Sequence, residues 1–256
     1  MVDINAMFNL EGERAVVTGG ARGLGREIAL VFAESGADVA IVDKDKDEAE
    51  KVAREIRKLG RNSIVVKTDV RYSHEVEKMV NFVKDRFTKI DILVASAGVS
   101  NIVEAEKMSK EEWGRIISIN LTGLFLCDQA VGKEMIKQRK GSIINISSMS
   151  GFVVNWPQKH VHYNASKAGV IMVTKSLAAE WAEYNVRVNA IAPGYIRTAI
   201  SQRGLAKYED IVRRLTPMRR VGEPWEIRGA ALFLASKAST YATGAVLVID
   251  GGYSIL

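Results

Sequence analysis

The stretch that decides the fold is Ala15-Val16-Val17-Thr18-Gly19-Gly20-Ala21-Arg22-Gly23-Leu24-Gly25. A short β-branched run, predicted to be a strand over residues 15–18, leads into a turn with glycines at 19, 23 and 25, and an apolar helix is predicted to begin near Arg26. Glycines at a strand-to-helix junction let the backbone approach a pyrophosphate closely, and the helix N-terminus offers it free N–H groups. The stretch therefore indicates a dinucleotide site. Three residues separate Gly19 from Gly23, whereas the G-x-G-x-x-G pattern has one residue between its first two glycines.

Short apolar runs alternate with amphipathic stretches along the rest of the chain. Seven runs are predicted to be strands, over residues 15–18, 39–42, 63–67, 92–95, 142–146, 186–191 and 246–249. Several are apolar throughout, as expected for a parallel sheet covered on both faces, and residues 45–59 and 76–87 have helical apolar spacing. This alternation predicts a doubly wound, Rossmann-like α/β fold, whose ligands bind at the carboxyl ends of the strands.

The composition predicts one globular domain over residues 1–256. Hydrophobic residues make up 47% of the chain and charged residues 26%, with four prolines and no linker-like tract. The single cysteine, Cys127, excludes an intramolecular disulfide and a cysteine-cluster metal site, and is predicted to be a buried small apolar residue. No apolar run approaches the ~18 residues of a membrane span, and the first ten residues lack a signal-peptide pattern. We therefore expect a cytoplasmic protein without a membrane partner.

Most of the formal net charge of +6 comes from one segment. Between Arg197 and Arg220 stand seven basic residues against Glu209 and Asp210. No recognised nucleic-acid module or aromatic-interleaved basic stretch accompanies them, so a nucleic-acid partner is not expected. Two interpretations stay open: the segment attracts an anionic substrate or the phosphates of a cofactor, or it is a solvated helix face.

Tyr163 and Lys167 have the spacing of a proton-transfer pair. Tyrosine, with an ordinary pKa of about 10, is a poor base at neutral pH unless its phenolate is stabilised. At positions i and i+4 of a helix, the ammonium of Lys167 lies beside the Tyr163 hydroxyl and can lower its pKa. The alternative is an ordinary exposed helix pair.

The motifs along the chain, taken in order, resemble those of the short-chain dehydrogenase/reductase family, and of its polyol and sugar dehydrogenases in particular. They are the glycine turn, Thr68-Asp69-Val70, Asn120, Ser148, Tyr163-Asn164-Ala165-Ser166-Lys167, Pro193-Gly194 with Thr198, and Asp250-Gly251-Gly252. The resemblance covers the chain from about Leu10 onward. Ala95-Ser96-Ala97-Gly98 departs from the family's NNAG and places Ser96 where the family has an asparagine.

The resemblance implies a catalytic tetrad of Asn120, Ser148, Tyr163 and Lys167. Tyr163 would remove the alcohol proton as hydride leaves for a nicotinamide. Ser148 would hydrogen-bond the reacting oxygen, and Lys167 would also hold the nicotinamide ribose. Asn120 would position a water molecule that relays the proton to solvent.

The cofactor is predicted to be NAD. Asp43 ends the second strand, 18 residues after Gly25, where a carboxylate accepts hydrogen bonds from ribose hydroxyls and repels a 2′-phosphate. Arg22 and Lys44 favour NADP, which is the alternative. The predicted cofactor-binding residues are Gly19, Arg22, Gly23, Leu24, Gly25, Asp43, Lys44, Asp69, Val70, Ala97, Gly98, Tyr163, Lys167, Pro193, Gly194, Ile196 and Thr198.

The substrate is expected to be a polyol, sugar or sugar acid, whose secondary alcohol is interconverted with its ketone. The segment from Ser148 to Asn155 resembles the substrate loop of polyol dehydrogenases, and the predicted contacts are Ser148, Ser150, Asn155 and Tyr163. Ser147 and Ser150 compete for the catalytic role, which alignment of the strand end assigns to Ser148. His160 and His162 stand close together without a third ligand, so no metal is expected.

Two rival functions stay open. One is a 3-oxoacyl-[acyl-carrier-protein] reductase, whose acidic partner would dock on Lys137, Arg139, Lys140 and the basic segment after Thr198. The other is a cofactor-sensing or scaffolding protein without catalysis.

The resemblance also implies a homo-oligomer, a tetramer in preference to a dimer. Its interface would use the helical stretches at 111–138 and 163–184. A substrate lid is expected over about residues 195–222.

Overall fold

The computed structural model describes residues 3–255, in which seven strands form one parallel sheet. The strands are β1 (Arg14–Thr18), β2 (Asp38–Asp43), β3 (Ser63–Lys67), β4 (Ile92–Ala95), β5 (Gly141–Ile146), β6 (Val186–Pro193) and β7 (Val246–Ile249). Their order across the sheet is β3-β2-β1-β4-β5-β6-β7. The predicted doubly wound sheet is confirmed. Strands β3, β4 and β7 have the predicted bounds, and the others are one or two residues longer.

Helices cover both faces of the sheet. They are α1 (Ile4–Met7), α2 (Gly23–Glu34), α3 (Lys46–Lys58), α4 (Ser73–Phe87), α5 (Lys110–Ile117), α6 (Leu124–Gln138), α7 (Val161–Trp181), α8 (Gln202–Leu215) and α9 (Arg228–Ala235). The helix predicted over 45–59 is α3, with its outer residues acting as caps. Asp45 accepts a hydrogen bond of 3.3 Å from the Glu48 backbone N–H, and Arg57 and Lys58 occupy the last turn, where cations favour the helix dipole.

Alternate residues of each central strand belong to two different hydrophobic cores. In β1, Ala15 and Val17 pack in the core formed with α2, α3 and α9, while Val16 packs in the core formed with α4, α6 and α7. This burial on both faces explains why the strands are apolar throughout. Cys127 is fully buried in the second core, as predicted, and burial raises the pKa of its thiol.

Two helices differ from the prediction. Helix α2 begins at Gly23, ahead of the predicted start near Arg26, so its first turn is part of the glycine-rich stretch. The long stretch at 111–138 is not one α-helix, because the π-helical turn Ser118–Gly123 separates α5 from α6. Within that turn the Asn120 side chain bonds to the backbone of Val99, a tertiary contact that helical spacing does not reveal.

The order of the strands determines where a ligand can bind. Strand β1 lies between β2 and β4, so the connection from β1 to β2 and the connection from β3 to β4 run in opposite directions across the sheet. They leave a crevice at the carboxyl end of β1. Within residues 3–255, no helix is both long and apolar enough to cross a membrane. The same residues contain no group of three or more His, Cys, Asp or Glu side chains that could hold a metal ion.

Candidate active site

A cleft of about 520 Å³ opens at the carboxyl ends of the strands. Most of the predicted site residues line it: Gly19, Arg22, Gly23, Leu24, Gly25, Asp43, Lys44, Gly98, Ser148, Ser150, Asn155, Tyr163, Lys167, Pro193, Gly194, Ile196 and Thr198. Four predicted residues are outside this lining: Asp69, Val70, Ala97 and Asn120. The lining also includes Asp45 and Ser100, to which the sequence assigned no role, and Tyr195 and Ser201, which belong to the predicted lid.

The glycine turn has the shape of a phosphate cradle. Gly19 has φ +65°, a left-handed conformation that favours glycine, and a Cβ at Gly25 would collide with the Gly19 carbonyl oxygen. The side chain of Arg22 does not cap α2, so the N–H groups of the first turn are free to bind an anion. These features fit the pyrophosphate of a dinucleotide.

Asp43 is held in place at the end of β2. Its Oδ2 accepts a hydrogen bond of 3.2 Å from the Ala21 N–H, and its Oδ1 accepts one of 3.0 Å from the Asp45 N–H. The carboxylate of Asp45 in turn forms an ion pair with Arg22. Asp43, which favours NAD, and Arg22, which favours NADP, are therefore both held in place on one side of the cleft.

Tyr163 and Lys167 lie in the first turns of α7 and face the same cleft. Lys167 is 5% exposed, and its Nζ lies 5.7 Å from the centre of the Tyr163 ring. The ammonium donates a hydrogen bond of 2.7 Å to the Ile146 carbonyl at the end of β5. The alternative of an ordinary exposed pair is thus wrong for Lys167, because this lysine is buried at the base of the cleft.

The electrostatics of this pair differ from the prediction in one respect. Burial lowers the pKa of Lys167 to about 8, so the side chain is still mostly cationic at neutral pH. Burial raises the pKa of Tyr163, and a hydrogen bond with Ser148 opposes the increase. The pKa of Tyr163 in this structure is therefore raised, whereas the sequence predicted that Lys167 would lower it.

Hydrogen bonding distinguishes the three candidate serines. Ser147 donates a hydrogen bond of 2.8 Å to the Lys167 carbonyl and so supports the base of the catalytic helix. Ser148 lies beside Tyr163, and its Oγ is 3.0 Å from that of Ser150. The geometry supports Ser148 as the serine that faces a reacting oxygen, with Ser150 next to it.

Asn120 lies behind the cleft, fully buried. Its Oδ1 accepts a hydrogen bond of 2.9 Å from the Val99 N–H, and its Nδ2 donates to the Val99 carbonyl and to Ser166 Oγ. Because the side-chain amide is engaged in these bonds, it fixes the chain after β4 beside Lys167. The predicted role of Asn120 in positioning a relay water stays a prediction.

Asp69 and Val70, which were predicted to bind the cofactor, are outside the lining of the cleft. The Asp69 carboxylate accepts hydrogen bonds from Arg71, including one of 2.6 Å, and these interactions lower the pKa of Asp69. Val70 is 7% exposed and packs closely on Gly123, where an added Cβ would lie 2.7 Å from it.

Ion pairs neutralise much of the basic segment. Arg197 pairs with Glu209 at 3.1 Å and with Glu223 at 3.3 Å, and Arg220 pairs with Glu226 at 2.6 Å. Among the described side chains of this segment, those that line the cleft are uncharged: Thr198, Ala199, Ile200 and Ser201. This arrangement favours the solvated helix face over the steering of an anion.

Comparison with known proteins agrees with this geometry. A family model described as "Enoyl-(Acyl carrier protein) reductase" matches residues 19–254. An NADP-dependent mannitol dehydrogenase from Hypocrea jecorina is 42% identical over 252 residues, covering 97% of this chain and 94% of that protein. An NAD-dependent glycerol dehydrogenase from Listeria innocua is 39% identical over 249 residues, with coverages of 97% and 96%.

A crystal structure of a short-chain type dehydrogenase/reductase from Mycobacterium marinum has a TM-score of 0.97 to this chain. The two are 40% identical, over 99% of this chain and 100% of the other. This chain belongs to the short-chain dehydrogenase/reductase family. It is therefore an oxidoreductase that acts on CH–OH groups with a nicotinamide cofactor.

In this short-chain dehydrogenase/reductase, the side of the cleft beyond Ser148 is polar. Ser150 and Asn155 line it and are 5% and 2% exposed. Between Ser148 and Tyr163 lie 14 residues, and Asn155 is among them. The loop between the two catalytic residues thus contributes a buried amide to the wall of the cleft.

Proposed function

We propose that the protein interconverts a secondary alcohol of a polyol, sugar or sugar acid with the corresponding ketone, using NAD(H). The observation that carries the proposal is the meeting of Ser148, Tyr163 and Lys167 in one cleft with a glycine turn that fits a dinucleotide. The names of two relatives, a mannitol and a glycerol dehydrogenase, support a polyhydroxylated substrate.

Each residue of the pair on α7 has a defined task in this reaction. A bound nicotinamide supplies the hydride acceptor or donor. The Tyr163 phenolate would take the alcohol proton in oxidation, and the resulting Tyr163 hydroxyl would return it in reduction, while the Ser148 hydroxyl would hydrogen-bond the reacting oxygen. The buried ammonium of Lys167 favours the phenolate form of Tyr163.

The preference for NAD rests on the fixed position of Asp43. Two backbone N–H groups hold its carboxylate where a 2′-phosphate would otherwise lie, so it cannot turn away without losing both hydrogen bonds. Arg22, the basic residue that would attract that phosphate, is paired with Asp45. The relatives include proteins named for each cofactor, so the preference is a proposal about these residues.

A substrate screen tests the proposal. Galactitol, mannitol, sorbitol, glycerol and gluconate are each mixed with NAD or NADP, and reduced cofactor is followed by absorbance at ~340 nm. We expect reduction of NAD with at least one polyol or sugar acid. The Tyr163→Phe variant should lose turnover and retain nearly the same Kd for NAD. Unchanged turnover in this variant would refute the mechanism.

Three of the docking residues predicted for the rival carrier-protein reductase lie away from the cleft. Lys137, Arg139 and Lys140 immediately precede β5 and lie at the amino edge of the sheet, whereas the cleft opens at the carboxyl edge. Lys137 is also paired with Glu134. A carrier bound there would lie at the edge of the sheet opposite to the cleft, whereas the basic segment after Thr198, the other predicted docking surface, follows the carboxyl end of β6.

We also propose a homo-oligomer, with a tetramer ahead of a dimer. Trp113 on α5 and Met172 on α7 are 41% and 60% exposed, which leaves apolar surface on the helices predicted to form the interface. Sedimentation showing only the 28.1 kDa chain would refute this proposal. A lid over about residues 195–222 and a cytoplasmic location stay predictions.

A further inference from the structure

We propose that the Tyr195 hydroxyl binds a second hydroxyl group of the substrate, together with an Asn155 amide that His160 holds in place. This inference rests on the proposed function and extends it from the reacting carbon to its neighbour. The sequence predicted Asn155 as a substrate contact but gave no polar role to Tyr195 and treated His160 as a loop or interface residue.

Tyr195 presents an unpaired polar atom at the cleft. Its hydroxyl oxygen is buried and makes no hydrogen bond with the described residues, although the side chain lines the cleft. Asn155 and Tyr253 lie close enough to influence its pKa, which burial raises. Buried hydroxyls are normally paired, so this atom calls for a partner from a ligand.

The backbone places Tyr195 next to the reacting centre. Tyr195 follows the end of β6, and the carbonyl of Pro193 accepts a hydrogen bond of 3.4 Å from the Ser148 hydroxyl. The Tyr195 ring packs edge-on against Tyr253, with ring centres 5.5 Å apart, which fixes its orientation. Tyr195 therefore lines the same cleft as Ser148 and Tyr163, within the space that a substrate bound to this pair would share.

His160 determines which end of the Asn155 amide is available. Its Nε2 lies 3.4 Å from Asn155 Oδ1, and its ring lies 5.3 Å from that of Tyr163. Burial lowers the pKa of His160 to about 4, so the ring is neutral at physiological pH and must carry its proton on Nε2 to donate to this oxygen. With Oδ1 engaged, the amide hydrogens remain to donate to a substrate hydroxyl.

The chemistry of the subsite selects vicinal hydroxyls. Tyr195 can accept or donate a hydrogen bond, and the Asn155 NH₂ group donates. A substrate hydroxyl next to the reacting carbon can satisfy both groups, whereas hydrogen in its place leaves the Tyr195 hydroxyl unpaired. Sites built to bind a hydroxyl discriminate against analogues that lack it for this reason.

The test compares two substrates in matched variants. The polyol oxidised fastest in the screen is paired with its analogue in which the hydroxyls on both carbons next to the reacting carbon are replaced by hydrogen; for glycerol the analogue is 2-propanol. The measured quantity is the kcat/KM of the polyol divided by that of the analogue. Tyr195→Phe, which keeps the ring, should lower this ratio about tenfold. The control Tyr253→Phe removes the neighbouring hydroxyl and should leave the ratio within about twofold.

His160 is tested as a positioning residue. His160→Phe should raise KM for the polyol more than it lowers kcat, and it should reduce the ratio of kcat/KM for the polyol to that for the analogue. His160→Gln restores an N–H donor and should recover much of that ratio. A merely structural role would lower the melting temperature and both substrates' kcat/KM without changing the ratio. An unchanged ratio in an active Tyr195→Phe enzyme would overturn this inference and leave the proposed function intact. No oxidation of any alcohol by the wild-type protein would overturn the proposed function and the inference with it.

Discussion

The ammonium of Lys167 donates a hydrogen bond of 2.7 Å to the carbonyl oxygen of Ile146. This bond anchors α7 to the end of β5 at the point where Ser148 follows the strand. It holds a buried cation below the Tyr163 ring, although burial lowers the pKa of the lysine to about 8. The fold thus fixes the position of the cation independently of any bound molecule.

Replacing Lys167 with Met tests the role of that cation. The variant keeps a long apolar side chain but loses the charge that favours the Tyr163 phenolate, while burial continues to raise the Tyr163 pKa. We expect kcat to fall at least about a hundredfold at pH 7, the usual size of a general-base contribution. A melting curve confirms folding, and a variant that retains a tenth of wild-type kcat would contradict the assignment.

The Arg22–Asp45 ion pair is expected to influence cofactor choice. Asp45→Asn releases Arg22 toward the position of a 2′-phosphate, so the ratio of kcat/KM for NADP to that for NAD should rise about threefold to fivefold, as expected for an exposed pair. Asp47→Asn is the matched control, because Asp47 lies exposed in the same turn of α3. Equal ratios in the two variants would show that Asp45 does not restrain Arg22.

Gly25→Ala should damage the phosphate cradle. The added Cβ would collide with the Gly19 carbonyl oxygen, and the turn must shift to relieve the contact. We expect the Kd for NAD, measured by calorimetry, to rise at least about tenfold, since close backbone approach is lost. Gly114→Ala provides the comparison: this exposed glycine in α5 has open space around it, so the variant should gain about 0.5–1 kcal/mol of stability and bind NAD normally.

The sequence was sufficient for those features that depend on local pattern. The bounds of β3, β4 and β7 follow from apolar runs, and Tyr163 and Lys167 share a face because they stand at positions i and i+4 of α7. The ends of parallel strands meet at one edge, so motifs far apart in sequence were correctly expected in one cleft.

Features that depend on tertiary partners were not predictable in this way. The π-helical turn at Asn120 is associated with hydrogen bonds to Val99, and no periodic pattern encodes that pairing. The pairing of Arg22 with Asp45 required the geometry of two loops. By contrast, Lys140 stands just before a predicted strand and so lies at the amino edge of the sheet, away from the cleft. The sequence alone could have shown that Lys140 is far from the predicted active site as a docking residue for a carrier protein.

Asp128 forms a buried polar cluster on the other side of the sheet from α2. Its Oδ2 accepts a hydrogen bond of 2.9 Å from Asn145 Nδ2, which also donates to Thr174 Oγ1 at 3.1 Å. Asp128 Oδ1 and Asn145 Oδ1 are both buried and make no hydrogen bond with the described residues. Burial raises the pKa of Asp128 to about 8, so the folded protein keeps this carboxyl protonated at neutral pH.

Asp128→Asn should therefore stabilise the protein in a pH-dependent way. Between an ordinary pKa of 3.8 and the folded value of about 8, only the unfolded chain releases the Asp128 proton, so rising pH lowers the free energy of unfolding across this window. The neutral amide removes that dependence. Thermal melts should show equal stability near pH 4 and an advantage for Asp128→Asn that grows toward pH 8, by about 2–4 °C for each kcal/mol. The exposed Asp85→Asn is the control, and parallel curves for both variants would contradict the buried, protonated state of Asp128.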